Sequence, residues 1–270
     1  MPVRSVAGRR VWHRNTRRAN ALAFTVGVAL LGLVLWSWQL VAGQTIWIFV
    51  QDAPEQALNL FGRMLPPRWA YAEVLVRPLW DTLNIATIGT LAALVLAVPV
   101  ALLAARNTTP HPAVRAVALL VIVASRSIHS LVWALVLVFV VGPGVFAGIL
   151  AIALRSVGFI AKLLNEAIEE TDPKPIEAVR STGAGPGETI AYGIVPQVLP
   201  AFAGITVFRW DINIREATFL GLVGAGGIGL QLNASINSLR WADASVILVA
   251  IFAMVLVSEW VSARVRAAIT

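Results

Sequence analysis

The 270-residue chain contains no cysteine, and only 13% of its residues are charged. The absence of cysteine excludes disulfides, iron–sulfur clusters, cysteine-ligated zinc and thiol catalysis. The three histidines are widely spaced and form no HxxxH or HExxH pair, so the sequence predicts no metal site. Soluble domains carry about 25% charged residues, and this chain has too few to cover a soluble surface.

Apolar residues make up 58% of the chain, and its mean hydropathy is +0.79. The net charge of +7 comes mainly from residues 1–18, which hold six arginines and no acidic residue. The rest of the chain is nearly neutral, which argues against a nucleic-acid-binding surface. The composition therefore predicts a protein embedded in a lipid bilayer, with no nucleic-acid partner.

Six stretches are apolar enough to cross a bilayer, which takes about 20 residues per helix. A cleaved signal peptide is the alternative for the first stretch, but its apolar run is too long and no A-x-A site follows it. Ser125-Arg126-Ser127 interrupts the third. The sequence thus predicts an all-α membrane protein with about six transmembrane helices, near residues 19–42, 79–105, 114–141, 145–164, 198–214 and 244–262.

The distribution of basic residues predicts the orientation of these helices. With a cytoplasmic N-terminus, thirteen of the 21 Lys and Arg residues lie in cytoplasmic segments and five in outer segments. The remaining three fall within spans. Because short cytoplasmic segments are enriched in Lys and Arg, we expect both termini to lie inside.

This orientation divides the chain into a basic cytoplasmic tail, residues 1–18, and a single transmembrane domain, residues 19–270. Residues 43–78 then form an outer amphipathic segment. We expect the segment to lie on the outer membrane interface. A docking surface for an extracytoplasmic partner is the alternative.

Residues 165–197 form the one long cytoplasmic loop of the predicted topology. Asp172 is a suitable helix N-cap, Pro173 and Pro175 suit a first helical turn, and the glycines of residues 183–187 predict a break before a second helix. A compact, charged, helical loop suggests a docking element for a cytoplasmic partner. An ordinary amphipathic connector is the alternative.

Within this loop, Glu177-Ala178-Val179, Gly183 and Pro196 have the spacing of a known motif: E-A-A, three residues, Gly, nine residues, then I-x-L-P. The loop resembles the EAA loop of ABC importer permeases. Val179, Gly193 and Val195 depart from the motif, and glycine at 193 removes a hydrophobic side chain. The resemblance implies that residues 165–197 insert as a coupling helix into a cleft on a cytoplasmic ATPase.

A second stretch, FRWDINIREAT at residues 208–218 followed by GLVGAGGIG at residues 221–229, resembles the phosphonate/phosphate-type permeases of ABC importers. The resemblance covers about residues 75–268 and implies a type I importer permease in the bacterial inner membrane. It further implies two copies of the chain, two separate ATPase subunits that bind ATP and magnesium, and an extracytoplasmic binding protein. No cofactor and no catalytic residue are expected in this chain.

The glycine-rich stretch has a competing interpretation, because Gly224, Gly226 and Gly229 satisfy G-x-G-x-x-G. A dinucleotide site needs a strand before the motif, and no strand pattern precedes it. The ATP-binding motif G-x-x-x-x-G-K-[ST] is also absent. We therefore expect close-packed irregular backbone near the outer face, with Gly224, Gly226, Gly227 and Gly229 as a candidate outer gate.

Ionisable side chains inside membrane helices are costly and usually face a bundle interior or a cavity. Arg126 and His129 are predicted to share one helical face with Ser130 and Trp133. Because guanidinium groups match the oxygens of phosphate-type anions, such residues suit a pathway for an oxyanion. The candidate pathway residues are Arg126, His129, Arg155, Arg209 and Asn213.

Ion pairing between helices is the alternative role for these arginines, with Arg155 or Arg209 against Asp81, Asp211 or Glu216. The sequence and the resemblance together predict a permease subunit that imports phosphonate, phosphate or a related oxyanion. A permease of the same architecture for another solute, such as an amino acid, is the first alternative. An intramembrane enzyme acting on lipid phosphate, with Asp81, His129 and Arg126 as its site, is the second.

Overall fold

The computed structural model describes residues 3–6, 9–12 and 17–269. The contacts divide the chain into two compact units, Met1–Asn59 and Leu60–Thr270. In the first unit, residues 3–6 and 9–12 of the predicted basic tail form two short strands, β1 (Val3–Val6) and β2 (Arg9–Trp12), paired antiparallel, and residues 17–18 begin the first helix. The remainder of that predicted tail, residues 1–2, 7–8 and 13–16, lies outside the described residues.

Helices account for nearly all of the remaining described chain. Three of the connecting pieces are single turns: a 3-10 turn at Trp69–Tyr71, another at Gly221–Val223, and a π-helical stretch at Thr189–Ile194. The helices are α1 (Arg17–Gln44), α2 (Trp47–Met64), α3 (Ala72–Ala104), α4 (Pro112–Ser127), α5 (Ser130–Val141), α6 (Val145–Glu169), α7 (Pro173–Ser181), α8 (Pro186–Glu188), α9 (Val195–Leu220), α10 (Ile228–Asn237) and α11 (Trp241–Ile269).

Five helical stretches are long and apolar enough to cross a membrane, and a sixth is the bent pair formed by α4 and α5. These six correspond to the six predicted spans, so the all-α membrane architecture is confirmed. Some boundaries differ. The second span begins at Ala72, not near Leu79, because α3 continues through Pro78; membrane helices tolerate proline where neighbouring groups satisfy the freed backbone.

The third span is broken rather than merely interrupted. The axes of α4 and α5 are bent by 91° at Ile128 and His129, which have extended backbone. The break is stabilised on both sides: Arg155 Nη1 donates to the Ile128 carbonyl at 3.1 Å, and the Leu131 N–H donates to His129 Nδ1 at 3.3 Å. Both backbone groups lie at the helix break, and both are thereby paired.

The core of the second unit is the contact between α3 and α6. Small residues at every fourth position of α3 (Gly89, Ala93, Ala97 and Ala101) are all buried. Such a stripe lets two membrane helices approach closely, since lipid provides no hydrophobic drive for their association. The approach is tight, because a Cβ at Gly89 would lie 2.7 Å from Ile152 Cγ2.

The two ends of this bundle are joined by separate polar contacts. At one end the Arg106 N–H donates to Glu169 Oε1 at 2.9 Å, and Asn107 Nδ2 donates to the Ile168 carbonyl at 2.7 Å. At the other end, Tyr71 donates to Gln231 Oε1 at 3.0 Å. The segments predicted to be cytoplasmic therefore share one end of the bundle, and segments predicted to be outside share the other.

Candidate functional site

The loop between α6 and α9 has the predicted helix–turn–helix form. Asp172 Oδ1 accepts from the Lys174 N–H at 3.0 Å, so Asp172 caps α7 as expected. The chain turns at Gly183, where φ is +84°, and resumes in α8. Glycine populates this left-handed region without the penalty that a Cβ brings.

The side chain of Gln197 links the start of α7 to the start of α9 by hydrogen bonds. Gln197 Oε1 accepts from the Asp172 N–H at 2.9 Å, and Gln197 Nε2 donates to the Gly193 carbonyl at 2.7 Å and to the Asp172 carbonyl at 3.2 Å. Ile176 of α7 is buried in the same apolar cluster as Ile168, Ile194 and Val198. The loop is therefore held to α6 and α9 by both hydrogen bonds and apolar packing.

Glycine at position 193, the departure from the resembled motif, has a structural role here. A Cβ at Gly193 would lie 3.2 Å from Ile176 Cα and 3.4 Å from Ile176 Cγ1. The hydrophobic side chain of the motif is absent, and α7 instead packs directly on the backbone of residue 193. The contact between the two arms of the loop is retained through Ile176.

The structure places the predicted coupling residues on the surface of this loop. Glu177, Ala178 and Pro196 are exposed, Val179 is half-buried, and Gly183 is exposed at the turn. Beside them is an open depression. It is lined by Ala178, Val179, Thr182, Gly183, Ala184, Glu188 and Tyr192.

A buried ion cluster joins α6 to α9 within the second unit. Arg209 is only 2% exposed, and its Nη2 lies 3.3 Å from Glu216 Oε1. Arg155 Nε lies 3.5 Å from the same oxygen. The ring of Phe159 lies 5.0 Å from Arg209 Cζ, at a distance typical of cation–π contact.

Three buried side chains extend this cluster to α3. Ser156 Oγ accepts from Arg209 Nε at 3.0 Å and donates to Asn213 Oδ1 at 3.2 Å. Asn213 Nδ2 donates to Thr90 Oγ1 at 2.7 Å. The polar groups of α3, α6 and α9 therefore meet in one network, as expected of polar residues between membrane helices.

The two acids of α9 are each paired with arginine, in part as predicted. Asp211 pairs with Arg215 one turn away, and Ser258 of α11 donates to Asp211 Oδ1 at 3.0 Å. Glu216, rather than Asp81, is the partner of Arg155 and Arg209. Arg215 lies inside α9, not in an outer segment as the span boundaries had implied.

The predicted pathway residues thus fall into two groups. Arg155, Arg209 and Asn213 belong to the buried network, whereas Arg126 and His129 lie on the exposed surface at the α4–α5 break. The predicted common helical face of Arg126, His129, Ser130 and Trp133 is wrong, because the helix ends at Ser127 and restarts at Ser130. Arg126 has no ion-pair or hydrogen-bond partner among the described residues.

The glycine-rich turn packs against the N-terminal half of α3 and the start of α6. The Gly144 N–H donates to the Gly224 carbonyl at 3.0 Å, and Thr82 Oγ1 accepts from the Ile228 N–H at 2.8 Å. A Cβ at Gly229 would lie 2.1 Å from the Thr218 carbonyl oxygen. The expected close-packed irregular backbone is present, paired with protein groups at membrane depth.

Gly226 combines this close packing with a left-handed backbone. Its φ is +81°, and a Cβ there would lie 2.9 Å from the Val145 nitrogen. We expect Gly226→Ala to destabilise the protein by about 2–4 kcal/mol through strain and overpacking. Thermal unfolding in detergent measures this. Gly204→Ala is the matched control, since a Cβ at Gly204 meets nothing within 4 Å; equal unfolding temperatures for the two variants would contradict the packing assignment.

Sequence reasoning missed the hydroxyl groups of the network. Thr90, Ser156 and Ser258 are buried and bond to Asn213, Arg209 and Asp211, respectively. The available signal was Ser156 directly after Arg155 within a span. Thr90 and Ser258 carry no such signal, because single hydroxyls are common in membrane helices, where they bond to their own backbone.

No group of three or more His, Cys, Asp or Glu residues suited to a metal ion occurs among the described residues. What the structure contains is a helical membrane bundle with a buried polar network and a rigidly attached loop at one end.

Comparison with known proteins identifies the family. The chain matches the family described as "Binding-protein-dependent transport system inner membrane component" over residues 97–268, and it belongs to that family. It is therefore a permease subunit of a bacterial inner-membrane ABC importer, and not an enzyme. Such a permease works with an ATPase and a substrate-binding protein.

Several relatives are similar to most of this chain. This chain is 38% identical over 250 residues to the phosphite transport system permease protein PtxC of Stutzerimonas stutzeri, and the match covers 93% of this chain and 89% of that protein. It is 41% identical over 215 residues to the phosphate-import permease protein PhnE of Mycolicibacterium smegmatis. That match covers 80% of this chain and 40% of the relative.

A solved structure confirms the fold. A chain of the MetNI methionine ABC transporter, in an inward-facing conformation, superposes with a TM-score of 0.61 at 24% identity. The match covers 73% of this chain and 96% of that one. The type I importer permease architecture is thereby confirmed.

Proposed function

We propose that two copies of this chain form the transmembrane pathway of an importer for a phosphorus oxyanion: phosphate, phosphite or a phosphonate. The observation that carries the proposal is the similarity to permeases named for phosphite and phosphate, at 38% and 41% identity over 93% and 80% of the chain. Likeness to the methionine transporter is lower, at 24% identity, and it concerns the fold alone. An oxyanion is therefore favoured over an amino acid as the solute.

Residues 165–197 are the coupling element of this importer. Glu177, Ala178, Val179 and Gly183 face away from the bundle core and would contact the ATPase, while Ile176 and Gln197 hold the loop to α6 and α9. Two ATPase subunits would bind ATP and magnesium, and this chain would bind neither. Closure of the ATPases would move α7. The hydrogen bonds of Gln197 would make α9 move together with α7 as one rigid body.

Arg126 and His129 are the proposed contacts for the oxyanion. Both are exposed in a single copy, at a broken span, and Arg126 lacks a partner among the described side chains. An unpaired arginine at membrane depth normally faces a cavity or another protein surface. Between two copies, this surface would line a pathway whose charge attracts an anion without holding it tightly.

Arg155, Arg209 and Asn213 have a positioning role in this proposal. Arg209 is 2% exposed and already paired with Glu216, so the solute would not reach it without a rearrangement of α6 and α9. The network instead fixes those helices relative to each other. The glycines at 224, 226, 227 and 229 would form the outer boundary of the pathway, held rigid by their contacts with α3 and α6.

Reconstitution of the purified complex tests the proposal. We expect the chain to copurify with an ATPase whose rate rises when the binding protein is loaded with an oxyanion. Measuring which of phosphate, phosphite and methylphosphonate produces the rise identifies the solute. An ATPase rate unaffected by any loaded binding protein, or turnover of a lipid phosphate by the isolated chain, would contradict the proposal.

Arg126→Ala should reduce uptake about tenfold, the equivalent of one lost charge-assisted hydrogen bond to the passing anion. Copurification of the ATPase should be unchanged, because Arg126 makes no ion pair or hydrogen bond with a described residue and lies outside the coupling loop. The measurement is initial uptake rate at saturating loaded binding protein. Arg77→Ala is the matched control, an exposed arginine of α3; equal uptake by the two variants would remove Arg126 from the pathway.

A further inference from the structure

Three arginines converge on one depression at the outer end of the second unit. The depression has a volume of about 360 Å³ and lies between the segment before α3 and the turn from α10 to α11. The Arg68 N–H donates to the Ala242 carbonyl at 3.2 Å, which holds the two segments together. The lining residues are Arg63, Arg68, Leu239, Arg240, Trp241, Ala242 and Asp243.

One buried carboxylate orients two of these arginines. Asp243 is 2% exposed at its side chain; its Oδ1 lies 3.0 Å from Arg68 Nε, and its Oδ2 accepts from Arg240 Nε at 2.6 Å. The ring of Tyr71 lies 5.8 Å from Arg68 Cζ and 5.5 Å from Arg240 Cζ. Both guanidinium groups are therefore positioned on a rigid support through their Nε side.

The terminal nitrogens of these arginines remain available. Arg68 is ion-paired with Asp243 through Nε and Arg240 donates to Asp243 through Nε, their side chains are 59% and 51% exposed, and their Nη groups make no hydrogen bond to a described residue. Arg63 is exposed and has no partner in the described chain. Three positive charges thus face one negative charge, which leaves a net attraction for an anion.

The position of this cluster is unusual for a membrane protein. Lys and Arg are depleted from the outer flanks of membrane helices. Here three of the five arginines assigned to the outer side by the predicted orientation gather in one place. Trp69 and Trp241 lie beside them, and tryptophan favours the depth of the lipid headgroups.

We propose that this depression is a binding site for a phosphate-type oxyanion at the outer membrane surface. The Nη groups of Arg68 and Arg240 and the guanidinium of Arg63 donate to the anion, and Asp243 and Tyr71 hold the first two in place. Planar guanidinium groups match phosphate oxygens in pairs. The anion is either free in solution or the phosphate of an anionic lipid headgroup, and the site does not depend on which solute the importer carries.

Binding to the full-length chain in complex with its ATPase, purified in a phosphate-free maltoside detergent, tests this site. One arm measures equilibrium binding of radiolabelled inorganic phosphate, and the other measures the amount of radiolabelled phosphatidylglycerol retained per chain. Arg63→Gln removes a charge without disturbing Asp243, and Arg240→Gln removes an oriented donor. Arg77→Gln, an exposed arginine outside the depression, is the matched control.

We expect Arg63→Gln and Arg240→Gln each to weaken the binding of one of the two ligands about tenfold, and Arg77→Gln to leave binding unchanged. Loss of phosphate binding identifies the free anion as the occupant, and loss of retained phosphatidylglycerol identifies the lipid. If the Arg63 variant binds both ligands as the Arg77 variant does, the proposal is overturned. Because Arg63 is exposed and has no ion-pair or hydrogen-bond partner among the described residues, this variant is expected to keep its fold.

Discussion

Replacing Glu177 with alanine should abolish ATP-driven uptake while leaving the chain inserted in the membrane. Glu177 is exposed on α7 and has no ion-pair partner among the described residues, so its loss should cost the bundle little stability. Its carboxylate is instead available to the ATPase. The measurement is initial uptake rate, together with the amount of chain in the membrane. Glu170→Ala, an exposed acid just before α7, is the matched control and should transport normally.

Gly183→Val should have the same effect for a different reason. A Cβ at Gly183 meets nothing within 4 Å, but the φ of +84° would strain any β-branched residue, by about 1–2 kcal/mol or more. The turn would shift at the surface proposed to meet the ATPase. Gly187→Val is the control, because its Cβ is equally free and its φ is not left-handed. Normal transport by both Glu177→Ala and Gly183→Val would contradict the assignment of residues 165–197 as the coupling element.

Glu216→Gln should destabilise the permease by about 3–5 kcal/mol, because it leaves two arginines facing each other without a counter-charge. Arg209 is buried, and Glu216 is the carboxylate nearest to both Arg155 and Arg209. We expect a large drop in the thermal unfolding temperature in detergent and little complex recovered. Glu259→Gln, the same change at an exposed position of α11, should leave the unfolding temperature nearly unchanged.

Arg209→Met combined with Glu216→Gln separates a positioning role from contact with the solute. Replacing the buried Arg209 and its partner Glu216 together by neutral groups costs less than removing Glu216 alone. Arg155 also loses Glu216, but its side chain is 26% exposed and it keeps its hydrogen bond to the Ile128 carbonyl. We expect the double variant to recover most of the lost stability and most of the uptake. If the double variant recovers its stability but not its uptake, the positioning role is contradicted. Arg209 would then be assigned to contact with the solute.

The coupling loop could be predicted from the sequence almost completely. Its helix cap at Asp172, its turn at Gly183 and the second helical arm depend on local backbone preferences that single residues express. The contact of Gly193 with Ile176 could not, because it depends on how two arms fold onto each other. The sequence showed only that a hydrophobic side chain was missing.

The break between α4 and α5 shows where hydropathy stops being informative. The stretch is apolar except around Ser125-Arg126-Ser127 and His129-Ser130, so its composition predicts an interrupted span but not a bend of 91°. The bend is stable because Arg155, 27 residues away, satisfies the Ile128 carbonyl. Similarly, the charged residues within the predicted spans could be identified from the sequence. Their pairing with Glu216 rather than Asp81 depends on tertiary packing, which the sequence does not show.

ATP-dependent uptake into proteoliposomes tests the central claim most directly. Vesicles containing the complex of this permease with its ATPase, supplied with the binding protein, should accumulate radiolabelled phosphate, phosphite or a phosphonate when ATP is present. Accumulation should require both the binding protein and Glu177. The account would be contradicted if the vesicles accumulated none of these oxyanions and instead took up an amino acid under the same conditions.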